Sequence, residues 1–541
     1  MTIVPRSLQR KGFLTLSALA LSVLVASCER PASSGNVQQS PANAKKTTTS
    51  DAPFTLKVQT DRSTIFSRGK QSVYLLVTMN VPAKENDGTP RPPLNVGMVI
   101  DRSGSMAEKN KIDYARASAS QLIDSLSDKD LLAIVEYDDA VSVLAPSAPV
   151  TDKVRLKRLV NDLEPRGSTN LCGGLMHGVT QVKNAAREDR TNRVVLLTDG
   201  LANRGITDHQ RIASLVRNWR RQGITVSAMG LGLDYDENLL QLIAECGGGN
   251  YYYIESPQQM ASIFSQELRT LAGTVANGVR LTFRGEQAVD SVITYGYESV
   301  INRATAEIAL PSLYKGEKRA VVLRLVLTPG ESVDLNAGRI EIAYTESGTG
   351  TPSVITVPVS LSCSGNMKTV NASRKPEVLA EALLIEADEN HEKYVALYEQ
   401  GHTAQAKSHI TALASSIRNA NRSLNDKKLS KKLEALQLES RDMDRADRNI
   451  QDKKAYLKTN KQRLLYGKKG KRGKYLLQPG DLNPEVVALQ KKLQDRQLYS
   501  GPINGEYSSE VERAIRSYQR SNSLDADGIA GPATLRSLQL Y

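Results

Sequence analysis

Asp101-Arg102-Ser103-Gly104-Ser105 follows directly on the apolar run Val96-Gly97-Met98-Val99-Ile100. Five consecutive residues without a polar side chain read as a strand buried on both faces, the kind found in parallel sheets. A strand that ends in Asp-x-Ser-x-Ser delivers three side-chain oxygens to one point at the carboxyl edge of its sheet, where ligands of open α/β sheets bind. Two further oxygens fit the same place. Thr169 lies in Gly167-Ser168-Thr169-Asn170, and Asp199 closes a second apolar strand, Val194-Val195-Leu196-Leu197-Thr198. Two carboxylates and three hydroxyls make an all-oxygen set that suits a hard cation, Mg²⁺ first, with Mn²⁺ or Ca²⁺ as alternatives. A plain Asx/Ser turn at a strand end accounts for the first motif alone; it leaves Thr169 and Asp199 unexplained.

At these positions the chain resembles the von Willebrand factor A (VWA) domain and its metal-ion-dependent adhesion site, a DxSxS loop joined by a distant Thr and a distant Asp. The matching residues are Asp101, Ser103, Ser105, Thr169 and Asp199, in the family's order. The resemblance implies a bound divalent ion with one coordination position left for an acidic side chain of a protein partner. Elementary charge counting agrees with that implication. Two Asp only just neutralise a dication, so an incoming carboxylate is still attracted.

From 94 to about 270, strand and helix patterns alternate, which predicts a parallel sheet covered by helices on both faces. Strands are expected at Leu131–Glu136, Val141–Leu144, Ile224–Leu231 and Tyr251–Ile254. Helices are expected through Ile112–Leu126, at Lys153–Leu163, at Asp208–Arg221 and at Gln258–Leu271. Strand patterns also flank this region. Phe54, Leu56 and Val58, then Val73, Leu75 and Val77, alternate before it; residues 277–362 alternate after it, with turns at Thr328-Pro329-Gly330 and Gly348-Thr349-Gly350. The leading strands are too few to fold alone. The economical reading joins them to the later ones as an antiparallel β-sandwich into which the α/β domain is inserted. The divisions are therefore 53–93 and 273–365 for the sandwich and 94–272 for the insert. Integrin β chains resemble this arrangement, and the bacterial YfbK-like group of VWA proteins is similar over roughly 54–460. In integrin-type domains the last helix shifts with metal occupancy. The resemblance thus raises a coupling between Gln258–Leu271 and the sandwich, beside the simpler reading of a rigid linker helix.

Both ends of the chain carry signals of their own. Arg6, Arg10 and Lys11 precede an apolar stretch, Phe13–Ala26, too short for a spanning helix and flanked like an export signal. Val25-Ala26-Ser27-Cys28 resembles the bacterial lipobox, which implies cleavage before Cys28 and its lipidation. Residues 1–28 are thus read as a lipoprotein signal peptide. Glu29, where an Asp would favour inner-membrane retention, leans the expected location toward the outer membrane, facing the periplasm. Ordinary signal cleavage with Cys28 incidental is the other reading. Residues 29–52 hold almost no large apolar side chains and read as a disordered tether.

At the other end, Pro484–Leu538 reads as three short helices joined by Gly-rich turns, a small all-α domain at 481–541. It resembles the peptidoglycan-binding domain found beside cell-wall hydrolases. The marks are Leu489-Gln490, Gly501-Pro502-Ile503-Asn504-Gly505-Glu506-Tyr507, Tyr518-Gln519 and Asp527-Gly528-Ile529-Ala530-Gly531-Pro532-Ala533-Thr534. Asn504 stands where that family more often has Asp. Asn504, Tyr507, Tyr518, Asp527 and Thr534 are the candidate wall-binding residues.

Between the sandwich and this domain, 376–465 reads as a helical hairpin, Glu377–Gln400 and Ala404–Asn419, followed by a charged helix or partial coiled coil. The hairpin resembles one tetratricopeptide-type repeat, and a single repeat is expected to pack on a neighbour. Ten Lys or Arg fall between Lys453 and Lys474 with no acid, and Gly467, Gly470 and Gly473 are expected to break helix there. A solvated basic linker at 466–480 follows, with lipid or cell-wall anions as its candidate partners.

Composition sets the frame. A chain of 541 residues, 40% hydrophobic, has material for several cores, and a net charge of +13 favours an anionic neighbour. Nucleic acid is the first thought for a basic chain, but the export signal and the lack of interleaved aromatic residues argue against it. Cys172, Cys246 and Cys363 remain after Cys28; this odd number leaves at least one thiol unpaired, and a Cys246–Cys363 bridge stays open. No HExxH, Gly-x-Ser-x-Gly or P-loop occurs. His177 reads as a helix-surface residue, and Cys172 has no evident His–acid pair. A non-enzymatic envelope scaffold is therefore expected, with an accessory or catalytic part in peptidoglycan hydrolysis as the opposing class.

Overall fold

The computed structural model describes residues 45–46, 51–82, 91–254, 260–330, 333–447, 449–468, 477, 484–524, 526 and 528–540. The expected signal peptide and Cys28 lie outside the described residues.

Chain order gives four leading strands: β1 (Lys45–Lys46), β2 (Thr55–Thr60), β3 (Thr64–Phe66) and β4 (Gln71–Asn80). The inserted domain then runs β5 (Leu94–Asp101), α1 (Lys111–Ser125), β6 (Leu131–Tyr137), β7 (Val141–Pro149), α2 (Lys153–Asn161), α3 (Leu171–Asn184), β8 (Thr191–Thr198), α4 (His209–Arg221), β9 (Ile224–Leu231), α5 (Glu237–Gly247), β10 (Gly248–Ile254) and α6 (Met260–Ala272). Its sheet has the order β10-β9-β8-β5-β6-β7, parallel except for the antiparallel edge strand β7. Every residue of β5 and β8 is buried, as their unbroken apolar runs require. One face packs on α1, α2 and α6, the other on α3, α4 and α5. Helix α3 comes unusually close to β5 because glycines face each other there. A Cβ on Gly97 would lie 2.8 Å from Val182 Cγ2, and one on Gly178 would collide with Val99.

The chain leaves β5 to one side, toward β6 and β7, and later returns on the other side as β8. The reversal between β5 and β8 is the topological switch point of the sheet, and it opens a crevice at their carboxyl ends. Asp101 and Asp199 stand at those two ends.

The sandwich resumes with β11 (Thr274–Gly285), β12 (Val289–Tyr295), β13 (Ser299–Asn302), β14 (Thr305–Ala309), β15 (Leu313–Tyr314), β16 (Lys318–Leu327), β17 (Asp334–Glu346) and β18 (Pro352–Ser364). One sheet is β12-β16-β4-β2 and the other centres on β18-β17-β11-β14-β13. Strand β4 pairs with β16 over ten residues, from Gln71↔Leu327 to Asn80↔Lys318. Leading and trailing strands therefore share one core, in which Val73, Leu75 and Val77 meet Leu281, Phe283 and Ile340. Two pairings depart from the expected antiparallel pattern, since β3 and β1 both run parallel to β18. The second of these also corrects the reading of 29–52 as wholly disordered, because Lys45–Lys46 is hydrogen-bonded to the sandwich edge.

Helix α7 (Met367–Ala372) leads to α8 (Pro376–Glu399), α9 (Thr403–Leu424), α10 (Lys427–Ala446) and α11 (Ile450–Lys468). Leu384, Tyr394 and Tyr398 of α8 share a core with Ile410 and Ile417 of α9, Leu429 and Leu436 of α10 and Leu457 of α11. The hairpin is thus half of a four-helix unit. The neighbour it needs is also present: Val378, Ala382 and Ile385 cover Leu76, Ala320 and Val322 on the outer face of the four-stranded sheet. The basic run corrects an expectation. Gly467 does not break the helix, and α11 continues through Lys468 with Lys458 and Lys461 buried. Their ammonium groups meet Glu237 and Glu399 at 2.6 Å, and Lys454 reaches Asp234 at 3.3 Å.

The last unit has α12 (Pro484–Asp495), α13 (Ser509–Ser521) and α14 (Pro532–Ser537), with Leu477 bridged to Ala530. Among the described residues, no helix is long and apolar enough to cross a membrane.

Candidate metal centre

Strand β5 presents Asp101 with its carboxylate fully buried, and the backbone turns immediately into a 3-10 stretch, Gly104–Asn110. Asp101 Oδ1 accepts from the Ser103 amide at 2.8 Å, which curls the loop so that Ser103 Oγ and Ser105 Oγ lie 3.2 Å apart. Asp101 Oδ2 accepts from Thr198 Oγ1 at 2.5 Å and from the Tyr137 hydroxyl at 3.4 Å. Ser105 Oγ donates to Asp199 Oδ1 at 2.7 Å, joining the ends of β5 and β8.

Thr169 arrives from a loop tied to the first one by backbone bonds. The Arg166 amide donates to Arg102 O at 2.7 Å and the Gly104 amide to Gly167 O at 3.1 Å. On the far side the Thr169 amide donates to Asn203 Oδ1 at 2.8 Å, and the Asn203 amide returns a bond to Thr169 O at 3.2 Å. Asn170 then caps α3 by accepting from the Gly173 amide at 3.1 Å. Arg102 is itself held by Glu136 at 3.2 Å and Asp138 at 3.0 Å, so the loop backbone is fixed from below.

Gly200 gives the best measure of how the five side chains converge. A Cβ built there would lie 3.2 Å from Thr169 Oγ1, 3.5 Å from Ser105 Oγ and 3.8 Å from Ser103 Oγ. Three hydroxyls therefore border one small space that the missing side chain keeps open, with Asp101 and Asp199 behind them. Among the described residues no group of three or more His, Cys, Asp or Glu is arranged to hold a metal ion, and this donor set has only two carboxylates. Such a set fits a hard, oxygen-seeking dication and not a soft metal. Burial pushes the Asp101 carboxyl up to about 6; bonds from Thr198 and Ser103 oppose that rise and the charge of Asp199 adds to it. A cation here would relieve the crowding of negative charge.

All five residues named from sequence meet at this place. Sequence reasoning missed Thr198 and Tyr137, which hold Asp101, Asn203, which holds Thr169, and Lys111, whose ammonium lies 2.6 Å from Asp199 Oδ2. Thr198 had a signal, since it directly precedes Asp199; the others come from elements distant in sequence.

The candidate wall-binding residues look different. Tyr507 and Tyr518 are buried and donate or share bonds with Gly528 O at 3.0 Å and Ser537 Oγ at 2.7 Å. Thr534 is buried against Gln519, and Asn504 Oδ1 accepts from Gln490 at 2.7 Å. These four side chains hold the turns of the small domain together; Tyr507, Tyr518 and Thr534 are buried and Asn504 is half-buried. Asp527 lies outside the described residues. Cys172, Cys246 and Cys363 are all buried and unbridged. Burial pushes each thiol up, Cys246 to about 11, so none is an activated nucleophile. His177 sits exposed on α3, bonded to Gly173 O.

A doubly wound domain with five side chains bearing oxygen gathered at its switch point defines the class. Residues 95–266 form a von Willebrand factor type A domain, and residues 483–538 match the family described as "Putative peptidoglycan binding domain". The chain is similar to the Escherichia coli protein YfbK, 31% identical over 225 residues that cover 41% of this chain and 39% of that one. It is also similar to the Synechocystis protein sll0103, 27% identical over 295 residues, 52% of this chain and 68% of that one. Two solved structures share its fold: a von Willebrand factor type A protein from Catenulispora acidiphila (TM-score 0.56, 16% identity, 72% of this chain and 91% of that one) and the ArnB paralog VWA2 from Sulfolobus acidocaldarius (TM-score 0.52, 19% identity, 77% and 99%). These shares exceed the inserted domain, so the likeness extends beyond it into the flanking regions.

Proposed function

We propose that this protein is an envelope scaffold that holds an acidic partner protein through a dication at Asp101, Ser103, Ser105, Thr169 and Asp199, and holds peptidoglycan through its C-terminal domain. The observation that carries the reading is the convergence of three hydroxyls and two buried carboxylates around the open space at Gly200. An adhesion or scaffold role follows from the pairing of a VWA domain with a peptidoglycan-binding domain on one chain. The finer parts are the identity of the ion, Mg²⁺ before Mn²⁺ or Ca²⁺, and lipid anchoring through Cys28 at the outer membrane.

In this reading the ion supplies a coordination position for a carboxylate of the partner. The chain's own residues position it: Thr198 and Tyr137 orient Asp101, Asn203 orients Thr169, and the Arg102 contacts hold the loop between them. Retention rather than turnover is the expected outcome at the wall.

The test is a pull-down from envelope extract with wild type and Asp101→Ala, each in Mg²⁺ and in chelator, beside sedimentation with purified peptidoglycan. A protein retained only by wild type with metal, together with polymer retained without release of muropeptides, supports the scaffold. Identical proteins in all four lanes would overturn the metal-dependent part. Release of muropeptides would overturn the non-enzymatic part.

A further inference from the structure

Lys111 opens α1 and is 5% exposed. Its ammonium is 2.6 Å from Asp199 Oδ2, while Oδ1 of the same carboxylate accepts from Ser105. The backbone is strained to bring it there. Lys109 and Asn110, just before it, both have left-handed φ values, 53° and 58°; Asn tolerates that region, but a lysine does so at a cost. From the opposite side the loop after β9 closes over the lysine stem, since a Cβ on Gly232 would lie 3.9 Å from Lys111 Cε. A buried ammonium beside a fully buried carboxylate is retained only where the pair is well bonded.

We infer that Lys111 is a resident cation of the metal site, an inference that rests on the metal-binding reading above. Asp101, Asp199 and Lys111 carry a net charge of −1 together, and +1 once a dication joins them. The lysine therefore keeps the two carboxylates tolerable without metal, opposes the metal when it binds, and leaves the loaded site positive. A positive loaded site selects an anionic ligand for its remaining position. A neutral side chain at 111 would change these charges to −2 and 0. The metal would then bind more tightly, the metal-free protein would be less stable, and the loaded site would pull less strongly on a carboxylate.

The experiment uses the full chain as wild type, Lys111→Met and Lys111→Arg, prepared in Mg²⁺. Mg²⁺ and Mn²⁺ affinities are measured against a buffered chelator series, and thermal unfolding is followed with and without metal. Lys111→Met is expected to bind Mg²⁺ about tenfold more tightly or better, because removing a cation near a dication removes their repulsion. It should also melt below wild type in chelator, with the gap closing in saturating Mg²⁺. Lys111→Arg, which keeps the charge, should retain the wild-type affinity. A Lys111→Met affinity equal to or weaker than wild type overturns the inference while leaving the metal site standing. A wild type that binds none of these ions overturns the site itself. Because Mg²⁺ is present from the start, a variant that unfolds only on chelation still yields its affinity.

Discussion

Glu267→Gln should destabilise the protein by about 3 kcal/mol, because it breaks a buried charge pair inside the inserted domain whose arginine also bonds the sandwich. Arg193, on β8, is fully buried; its Nη1 is 3.2 Å from Glu267 Oε1 on α6 and 2.7 Å from Ser227 Oγ, and its Nη2 donates to the Tyr314 hydroxyl on β15 at 2.9 Å. Glu267 also accepts from Ser227 at 2.5 Å, Asn250 at 2.9 Å and Tyr252 at 2.7 Å. Removing one charge of such a pair leaves the other buried and uncompensated, at about 3–5 kcal/mol, and the partial bonding of glutamine sets the lower end. Burial alone would raise the Glu267 carboxyl, but the Arg193 charge and the three donors bring it below the ordinary 4.5. Its contribution is therefore present above pH 4.5 and lost as pH falls through the lower folded value, so the gap between wild type and variant narrows in acid. Urea unfolding followed by Trp219, the single Trp of the chain, reports the inserted domain. Arg193→Met and the double variant complete a cycle, in which the double should cost at least about 1 kcal/mol less than the sum of the singles. Additive costs, or single costs below about 1 kcal/mol, would refute the reasoning. In that event α6 would not be held to β8 by this pair, and the coupling raised by the integrin-like arrangement would have more freedom than this network allows.

Lys458→Ala should cost about 2 kcal/mol, since its buried ammonium holds Glu237 and Tyr235 O, at 2.6 and 2.8 Å; hydrogen exchange should rise across 450–468, and unchanged protection there would count against the contact. Iodoacetamide should label Cys172, Cys246 and Cys363 only on unfolding, because all three are buried with raised thiols; one label on the native protein by mass spectrometry would contradict that. Gly178→Ala should cost about 1–3 kcal/mol by overpacking against Val99, readable as a lowered urea midpoint.

Where the sequence was legible, one physical signal was strong enough to be read without neighbours. The apolar runs Val96–Ile100 and Val194–Leu197 lie in strands buried on both faces, as their lack of polar side chains suggested. Leading strands too few to fold alone required the later ones, and β4–β16 is that pairing. The failures have a common form. Val141–Leu144 was expected to stop at Leu144, yet β7 runs to Pro149 because β6 keeps pairing with it, Leu131↔Pro149 included. Helix α3 was read only at His177, since Gly174 and Gly178 are poor helix formers whose use is close packing on β6 and β5. Lys111 looks like any exposed lysine at a helix start until Asp199 arrives from 88 residues away.

The same lesson bears on partners. A net charge of +13 counts every lysine and arginine as if it faced a neighbour. Arg193, Arg319 and Lys458 are fully buried on carboxylates, and Lys111 and Lys461 nearly so. In the run from Lys453 to Lys474, the cations at 454, 458 and 461 recur on one face of α11 and are matched by Asp234, Glu237 and Glu399. The first part of that run thus clamps α11 onto the loop after β9 and the end of α8, while 469–476, the most basic part of the expected linker, lies outside the described residues. The loop after β9 leaves the carboxyl edge of the sheet, the edge that also carries Asp101 and Asp199. Charge that counts toward the basic total thus fixes the helix that leads toward the C-terminal domain against the metal-site edge.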